Sequence, residues 1–465
     1  MPGNTHRSGG RRRTHRSSGS GDEEVWGVAH LCHPKPSAND NASDSGALIE
    51  AARALQALIT AGKLERPHRT IRFLLVPEMT GTYCYLSANE HLIPRVVAAL
   101  NLDMVGENQD LCRGPLIVEK PPRAVSSFAG ELLARIMEEL GDDVKNLAGT
   151  SGYALFKHTV SPFSGGSDHY ILSDPTVGIP CPMLIQWPDM FYHTSEDTID
   201  KVDPEMLARA ASLTATYLYF VASAGLPEAA YIAGLLAGDF EKDVAHLAEV
   251  RLGEALGQDR SKPSDCAGKA IEKGAPTGPL ARLAREVEFR YRRRGADFGS
   301  IVRLVSAGEK DTFRQTIAGL TKGMQAFKGT LLARARSLAE TASGRNAASM
   351  AATYDAPVPK DAGQTCGPAE WEEHARRIVP LRAFRGPVDL RGHMEGLPQD
   401  RREDWESFLQ KTPSARRLSA YLQYWADGKR SLLEIAGMTE LETGMRDLEC
   451  TVRYYELLKE CGLVT

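Results

Sequence analysis

Six residues in this chain have the chemistry of metal ligands or proton carriers, and they recur in one context. His30 and His33 follow a short apolar run, and Asp40 comes soon after in ANDNASDSG. Glu78 follows a second run, in VPEMTG. Asp103 ends a third, in NLDMVG. His193 follows a fourth, in FYHTSEDT. Neutral imidazole and carboxylate are the donors taken by zinc and related divalent ions. An ion held there supplies Lewis acidity and lowers the pKa of water toward neutrality. A further carboxylate, Glu78, suits a general base. Singly, an Asp after a strand is an ordinary turn or cap residue. Four runs that each deliver such a residue to the same end are the signal.

The four runs read as buried strands: Val25–Leu31, Thr70–Val76 (stopped by Pro77), Val96–Met104 and Pro182–Trp187. Helical spacing lies between and after them. Ser45–Gly62 carries Leu48, Ala51, Leu55 and Leu58 on one stripe, and Ser126–Leu140 is amphipathic. Thr82–His91 reads as a short helix ended near Pro94. Pro204–Ala224 opens with proline and Glu205, which are helix-start signals. Strands alternating with helices predict the α/β class, with a mainly parallel sheet flanked by helices. In such a sheet ligands bind at the carboxyl ends of the strands, which is where the six residues fall.

Composition narrows the function classes. The chain has 465 residues, with 56 basic and 60 acidic side chains and a net charge of −4. That balance excludes a surface built wholly for nucleic acid. The eight cysteines form no CxxC pair, so neither a zinc ribbon nor a disulfide framework is encoded. Unpaired thiols place the protein in the cytoplasm as an expectation. The best membrane-span candidate, Ala210–Pro227, contains Ser212, Thr214, Thr216 and Ser223 and reads as a buried helix.

Five segments follow from these shifts of character. Residues 1–22 are a disordered basic tail with five arginines and no apolar run. Residues 23–226 are the α/β unit. Residues 227–345 are a helical segment, interrupted near Ser261–Pro279, and 346–412 are an irregular, proline-bearing linker. Residues 413–465 carry three helical stretches, Ser414–Asp427, Ser431–Gly437 and Glu442–Glu460. That unit resembles a winged-helix domain. From Thr412 on it holds seven basic and eight acidic residues. It therefore lacks the surplus of Lys and Arg that DNA phosphates require, and packing or protein contact is expected instead.

The stretches AHL, NDNASDSG, RTIRFLLVPE, NLDMVG, GGSDH and YHTSEDT, in that order, resemble the M28 family of zinc aminopeptidases. The resemblance covers about residues 24–226. The CHP…ANDN wording and the C-terminal unit look more like its DUF4910/DUF2172 aminopeptidase-like branch. The resemblance implies a zinc-exopeptidase-like fold and one or two zinc ions. It also implies hydrolysis of N-terminal residues from peptides or aminoacyl amides. Asp40, Asp103 and His193 match the family's ligands, with Asp40 the bridge if two ions bind. Asp168 in SDH and Tyr192 beside His193 are the candidate substrate contacts, and Asp197 is a candidate partner of a ligand imidazole.

Three departures from the family's pattern stand out. The usual His-x-Asp is replaced by His30-Leu31-Cys32-His33, which leaves His30 and His33 as alternatives for one ligand position. The usual pair of glutamates is replaced by Pro77-Glu78. Glu78 is then either the base at a single-metal site or a ligand at an impaired one. Residues 1–22 offer no strand ahead of Val25, so the sheet is expected either to end there with an exposed edge or to lack upstream sequence. A glutaminyl-cyclase-like acyltransferase and a catalytically impaired binding protein on the same scaffold are the alternatives to hydrolysis. The expected partner is a peptide or aminoacyl substrate, with no nucleic acid and no membrane. Self-association is left open.

Overall fold

The computed structural model describes residues 22–31, 33, 35–140, 144–153, 155–255, 278–343 and 369–465. The basic tail before Asp22, most of the Ser261–Pro279 interruption and the linker up to residue 368 lie outside the described residues.

Among the described residues eight strands form: β1 (Glu24–His30), β2 (Thr70–Val76), β3 (Val96–Asp103), β4 (Leu116–Glu119), β5 (Val144–Lys145), β6 (Gly152–Tyr153), β7 (His158–Ser161) and β8 (Met183–Gln186). Six of them make one sheet in the order β2-β1-β3-β8-β4-β7, and β5 and β6 pair separately. The pairings β1–β2, β1–β3, β3–β8 and β4–β7 are parallel, and β4–β8 is antiparallel. The four strands read from the sequence are thus neighbours running the same way, and their carboxyl ends share one edge. β4 and β7 were not legible. Each is four residues long, and in β7 three of the four residues are polar and two are exposed.

Every residue of β1 is buried, because it is paired on both sides and covered on both faces. The edge strand is β2 and not β1, which corrects the expected exposed edge at Val25–Leu31: both neighbours of β1 come from later in the chain. Val25 and Ala29 point into one core, and Trp26 and Val28 into the other, as strand alternation requires.

The helices of the α/β unit are α1 (Asp44–Thr60), α2 (Thr80–Ala88), α3 (Gln109–Cys112), α4 (Ala129–Leu140), α5 (His169–Leu172) and α6 (Pro204–Ser223). α1 and α6 pack together against one face of the sheet. Leu86 of α2 and Ile171 and Leu172 of α5 cover the other. Asp203 caps α6 by accepting from Glu205 N, with Pro204 in the first turn. α6 is lined with buried residues, and no single described helix is long and apolar enough to cross a membrane.

α7 (Leu226–Ala255), α8 (Pro279–Ile301) and α9 (Lys310–Ser343) pack on one another, and their apolar residues continue the core of the sheet. The described part of 346–412 corrects the expectation of an irregular linker. It contains helices Ala369–Arg377, Leu390–Met394 and Gln399–Lys411, the last anchored by the buried Trp405 and Phe408. Beyond it lie Pro413–Trp425, Leu432–Thr443 and Leu448–Glu460. Ser431 and Glu434 form a capping box on the second of these, which runs six residues past the expected Gly437 because no breaker intervenes before Gly444. Among the described residues 369–465 the only β feature is the bridge between Arg382 and Val464, so three helices are present without a hairpin wing.

Candidate metal centre

β1 ends on His30, whose ring is buried. Between β1 and α1, residues Ala38–Ser43 form a wide turn that carries Asp40. Its side chains are stitched to the loop after β3. Asn41 Oδ1 accepts from Met104 N (3.2 Å), Ser43 Oγ from Val105 N (3.1 Å) and Asn39 Oδ1 from Gly106 N (3.0 Å). A Cβ on Gly106 would meet Ser43 Cβ at 2.5 Å, so this close approach requires glycine.

From the other side, Asp197 holds the same turn. Its Oδ1 accepts from Ala38 N (2.9 Å) and Asn39 N (2.7 Å), and its Oδ2 from Asp40 N (3.0 Å). Asp197 therefore supports Asp40 through the backbone, in place of the expected contact with an imidazole. Asn39, Asn41 and Ser43 are further supports of the site, marked in the sequence only by a run of short polar side chains, each able to cap a neighbouring backbone group.

Asp40 is the hub. Its Oδ1 lies 2.7 Å from His33 Nε2 and 3.6 Å from His30 Nε2, and its Oδ2 lies 3.2 Å from His193 Nε2. His30 Nε2 also lies 3.7 Å from Asp103 Oδ2. Donors bound tetrahedrally at zinc distances stand roughly 3.3 Å apart, so the spacing and the chemistry of this set fit a zinc site. Two overlapping groups satisfy it, His30–His33–Asp40 and His30–Glu78–Asp103. The sequence left His30 and His33 as alternatives, and the fold brings both to Asp40. His30 Nδ1 is buried and finds no hydrogen-bond partner among the described residues, in keeping with the absent Asp of His-x-Asp.

Backbone strain gathers here. Met79, Met104 and His193 take φ of 56°, 54° and 55°. Non-glycine residues in such conformations cost on the order of 1–3 kcal/mol each and persist where surrounding contacts impose them. Met79 follows Glu78, Met104 follows Asp103, and His193 is itself in the set. Two are visibly held, Met104 N by Asn41 and Met79 N by Asp168 Oδ1 at 2.8 Å.

The charges are crowded. Burial raises the Asp40 carboxyl, and Asp103 adds to this against His33 and His30. Burial also raises Glu78, with His30 opposing and Asp103 adding. For His30, burial opposes the charged form, but the hydrogen bond and field of Asp103 prevail and the pKa is raised. Carboxylates that lift one another in this way are what a divalent cation relieves.

The two expected substrate contacts are placed differently. Asp168 is wholly buried and spends one oxygen on Met79 N, so it supports the Glu78 loop and faces no solvent. Tyr192 lies at the mouth, 37% exposed, with its ring stacked on His193 at 3.7 Å and Trp187 edge-on to it at 5.2 Å. His169, the last residue of SDH, pairs with the buried Glu119 at 2.8 Å, a partner fifty residues away that no local pattern marks.

This order of strands, with the donors on their shared edge, bears on ancestry. Residues 13–218 match peptidase family M28. The metal centre and its sheet lie within the matched residues. The match spans under half of the chain. No curated protein sequence matches. Similar solved structures include a zinc aminopeptidase from Bacillus subtilis (25% identical, covering 42% of this chain and 46% of that one, TM-score 0.34). An aminopeptidase from Aneurinibacillus sp. is 24% identical over 44% of this chain and 45% of its own, with a TM-score of 0.33. A glutaminyl cyclase from Porphyromonas gingivalis is 20% identical over 43% of this chain and 72% of its own, with a TM-score of 0.32. The chain spans less than half the length of the two aminopeptidases it matches.

Proposed function

We propose that the chain is a zinc-dependent exopeptidase that removes N-terminal residues from peptides or aminoacyl amides. The observation that carries this reading is Asp40 set between three imidazoles, with Asp103 and Glu78 beside His30. The reading takes two zinc ions with Asp40 shared. His33 and His193 would hold one, and His30 and Asp103 the other. Zinc bound there would polarise the scissile carbonyl and acidify water.

The remaining steps belong to side chains. Glu78, with its pKa raised by burial, takes a proton from the attacking water and returns it to the leaving amine. Tyr192 stands at the mouth as a donor for the developing oxyanion. The crowded carboxylates suit a free α-amino group better than a neutral backbone, which favours the chain end over an internal bond. The cytoplasm is the proposed compartment, consistent with Cys84, Cys112, Cys181, Cys450 and Cys461 all being free thiols.

The test is zinc analysis of the purified chain alongside a panel of aminoacyl chromogenic substrates, with a parallel assay for pyroglutamate formation. Zinc with release of the chromogen is expected. Pyroglutamate from N-terminal glutamine without hydrolysis would assign the acyltransferase instead, and failure to hold zinc after reconstitution would leave only a binding role.

A further inference from the structure

We propose that the C-terminal helical region is a brace that fixes the position of Glu78, with Tyr424 and Arg382 as its positioning residues. The proposal rests on the reading of Glu78 as the base. Glu78 lies between β2 and α2, and the strained Met79 beside it is held by Asp168. Asp168 immediately precedes α5, a single helical turn. What holds α5 therefore holds Asp168, and through it the Glu78 loop.

α5 is held from the C-terminal region at both ends and in the middle. Tyr424 OH donates to Tyr170 O at 2.6 Å, and Tyr421 OH donates to Phe163 O just ahead of the turn. Behind the turn, Arg382 makes two contacts to Asp174, at 2.9 and 3.2 Å, in an ion pair that is 3% and 0% exposed. α2, which starts two residues after Glu78, is tied to the same region, since Tyr83 OH donates to Pro387 O at 2.5 Å. The two short helices that flank Glu78 are thus each fastened to residues 382–424, some 300 and 250 positions away in sequence. Among the described residues, the opposite side of the metal centre, the Asp40 turn, is fastened within the α/β unit, by Asp197 and the loop after β3. The brace therefore acts on the base and not on the ligands around Asp40.

Two conservative variants test it on the full chain with zinc bound. Tyr424→Phe and Tyr83→Phe each delete one hydroxyl and keep the ring. Hydrogen–deuterium exchange is read in peptides covering 78–88 and 38–43, with zinc content, kcat and KM measured on the same samples. Exchange is expected to rise several-fold at 78–88 and stay unchanged at 38–43. Zinc and KM should hold, while kcat falls by about ten- to a hundredfold, the scale of a displaced catalytic group. Unchanged exchange and kcat in both variants would overturn the proposal. So would a rise spread evenly over the chain, which is what a purely structural contact would give. Arg382→Lys, which keeps the charge, should preserve more kcat than Arg382→Ala. If the wild-type chain hydrolyses nothing, the proposed function fails by itself, and the exchange pattern still decides the brace.

Discussion

His33 Nε2 stands 2.7 Å from Oδ1 of Asp40, whose other oxygen faces His193 at 3.2 Å. One carboxylate thus lies between imidazoles delivered by the loops after β1 and β8. Read in sequence, His30-Leu31-Cys32-His33 and Pro77-Glu78 are each a loss from the family's pattern. In the fold His33 brings a further imidazole to Asp40. On the proposed reading this makes good the donor missing beside Glu78 and leaves Glu78 the role of base.

The first prediction follows from that sharing. On the proposed two-ion reading, Asp40→Asn should empty both zinc positions. His33→Ala and His193→Ala should each lose one ion, and His30→Ala and Asp103→Asn the other. Losing even an outer partner of a ligand costs about 10–100-fold in affinity, so loss of a donor should cost at least that. Metal analysis of protein dialysed against limiting zinc reads the stoichiometry directly. Two full equivalents in His33→Ala would remove that residue from the set.

Glu78→Gln separates base from ligand. As the base, the variant keeps its fold and its zinc while kcat falls by roughly 10²–10⁴. Zinc lost together with activity would make Glu78 a donor to the ion next to His30 and Asp103.

Asp197 lies more than 150 residues from the turn it supports and accepts three of that turn's backbone N–H groups. Asp197→Ala leaves these donors without partners. At about 1 kcal/mol for each hydrogen bond lost, stability should drop by about 3 kcal/mol. Zinc affinity should weaken as well, because Asp40 is no longer held. A melting curve and a zinc titration check both, and a stable variant with normal affinity would show that the stitches to Met104 and Gly106 suffice.

The parts of the site legible in the sequence are those set by local pattern. The runs that became β1, β2, β3 and β8 are apolar over four to eight residues and end on chemistry-bearing side chains, so both the sheet and its functional edge could be read. The relations set by tertiary packing could not. Nothing local links Asp197 to the Asp40 turn, Glu119 to His169 or Arg382 to Asp174, because each joins residues far apart in the chain. β4 and β7 are too short to show a period. Asp168 belongs with these: a polar residue in a motif suggests substrate, while its burial and its bond from Met79 N make it a support.

The last prediction concerns Glu107, four residues beyond Asp103 and wholly buried. Its backbone is locked to the Gln186 side chain, donating to Oε1 and accepting from Nε2, both at 2.8 Å. Burial, reinforced by Asp189 and Asp197, pushes its carboxyl up to about 8, against an ordinary value of 4.5. Between those two pH values the folded chain holds a proton that the unfolded chain has released. Stability from this group is therefore complete below about pH 4.5 and falls as pH rises toward 8. Glutamine is a neutral isostere of the protonated acid and cannot ionise. Glu107→Gln should come closest to the wild type below about pH 4.5 and exceed it by a widening margin as pH rises to 8. Melting temperatures of the two proteins from pH 5 to 9, at equal zinc content, read the difference. Parallel curves would mean that Glu107 is already ionised and paired in the folded state.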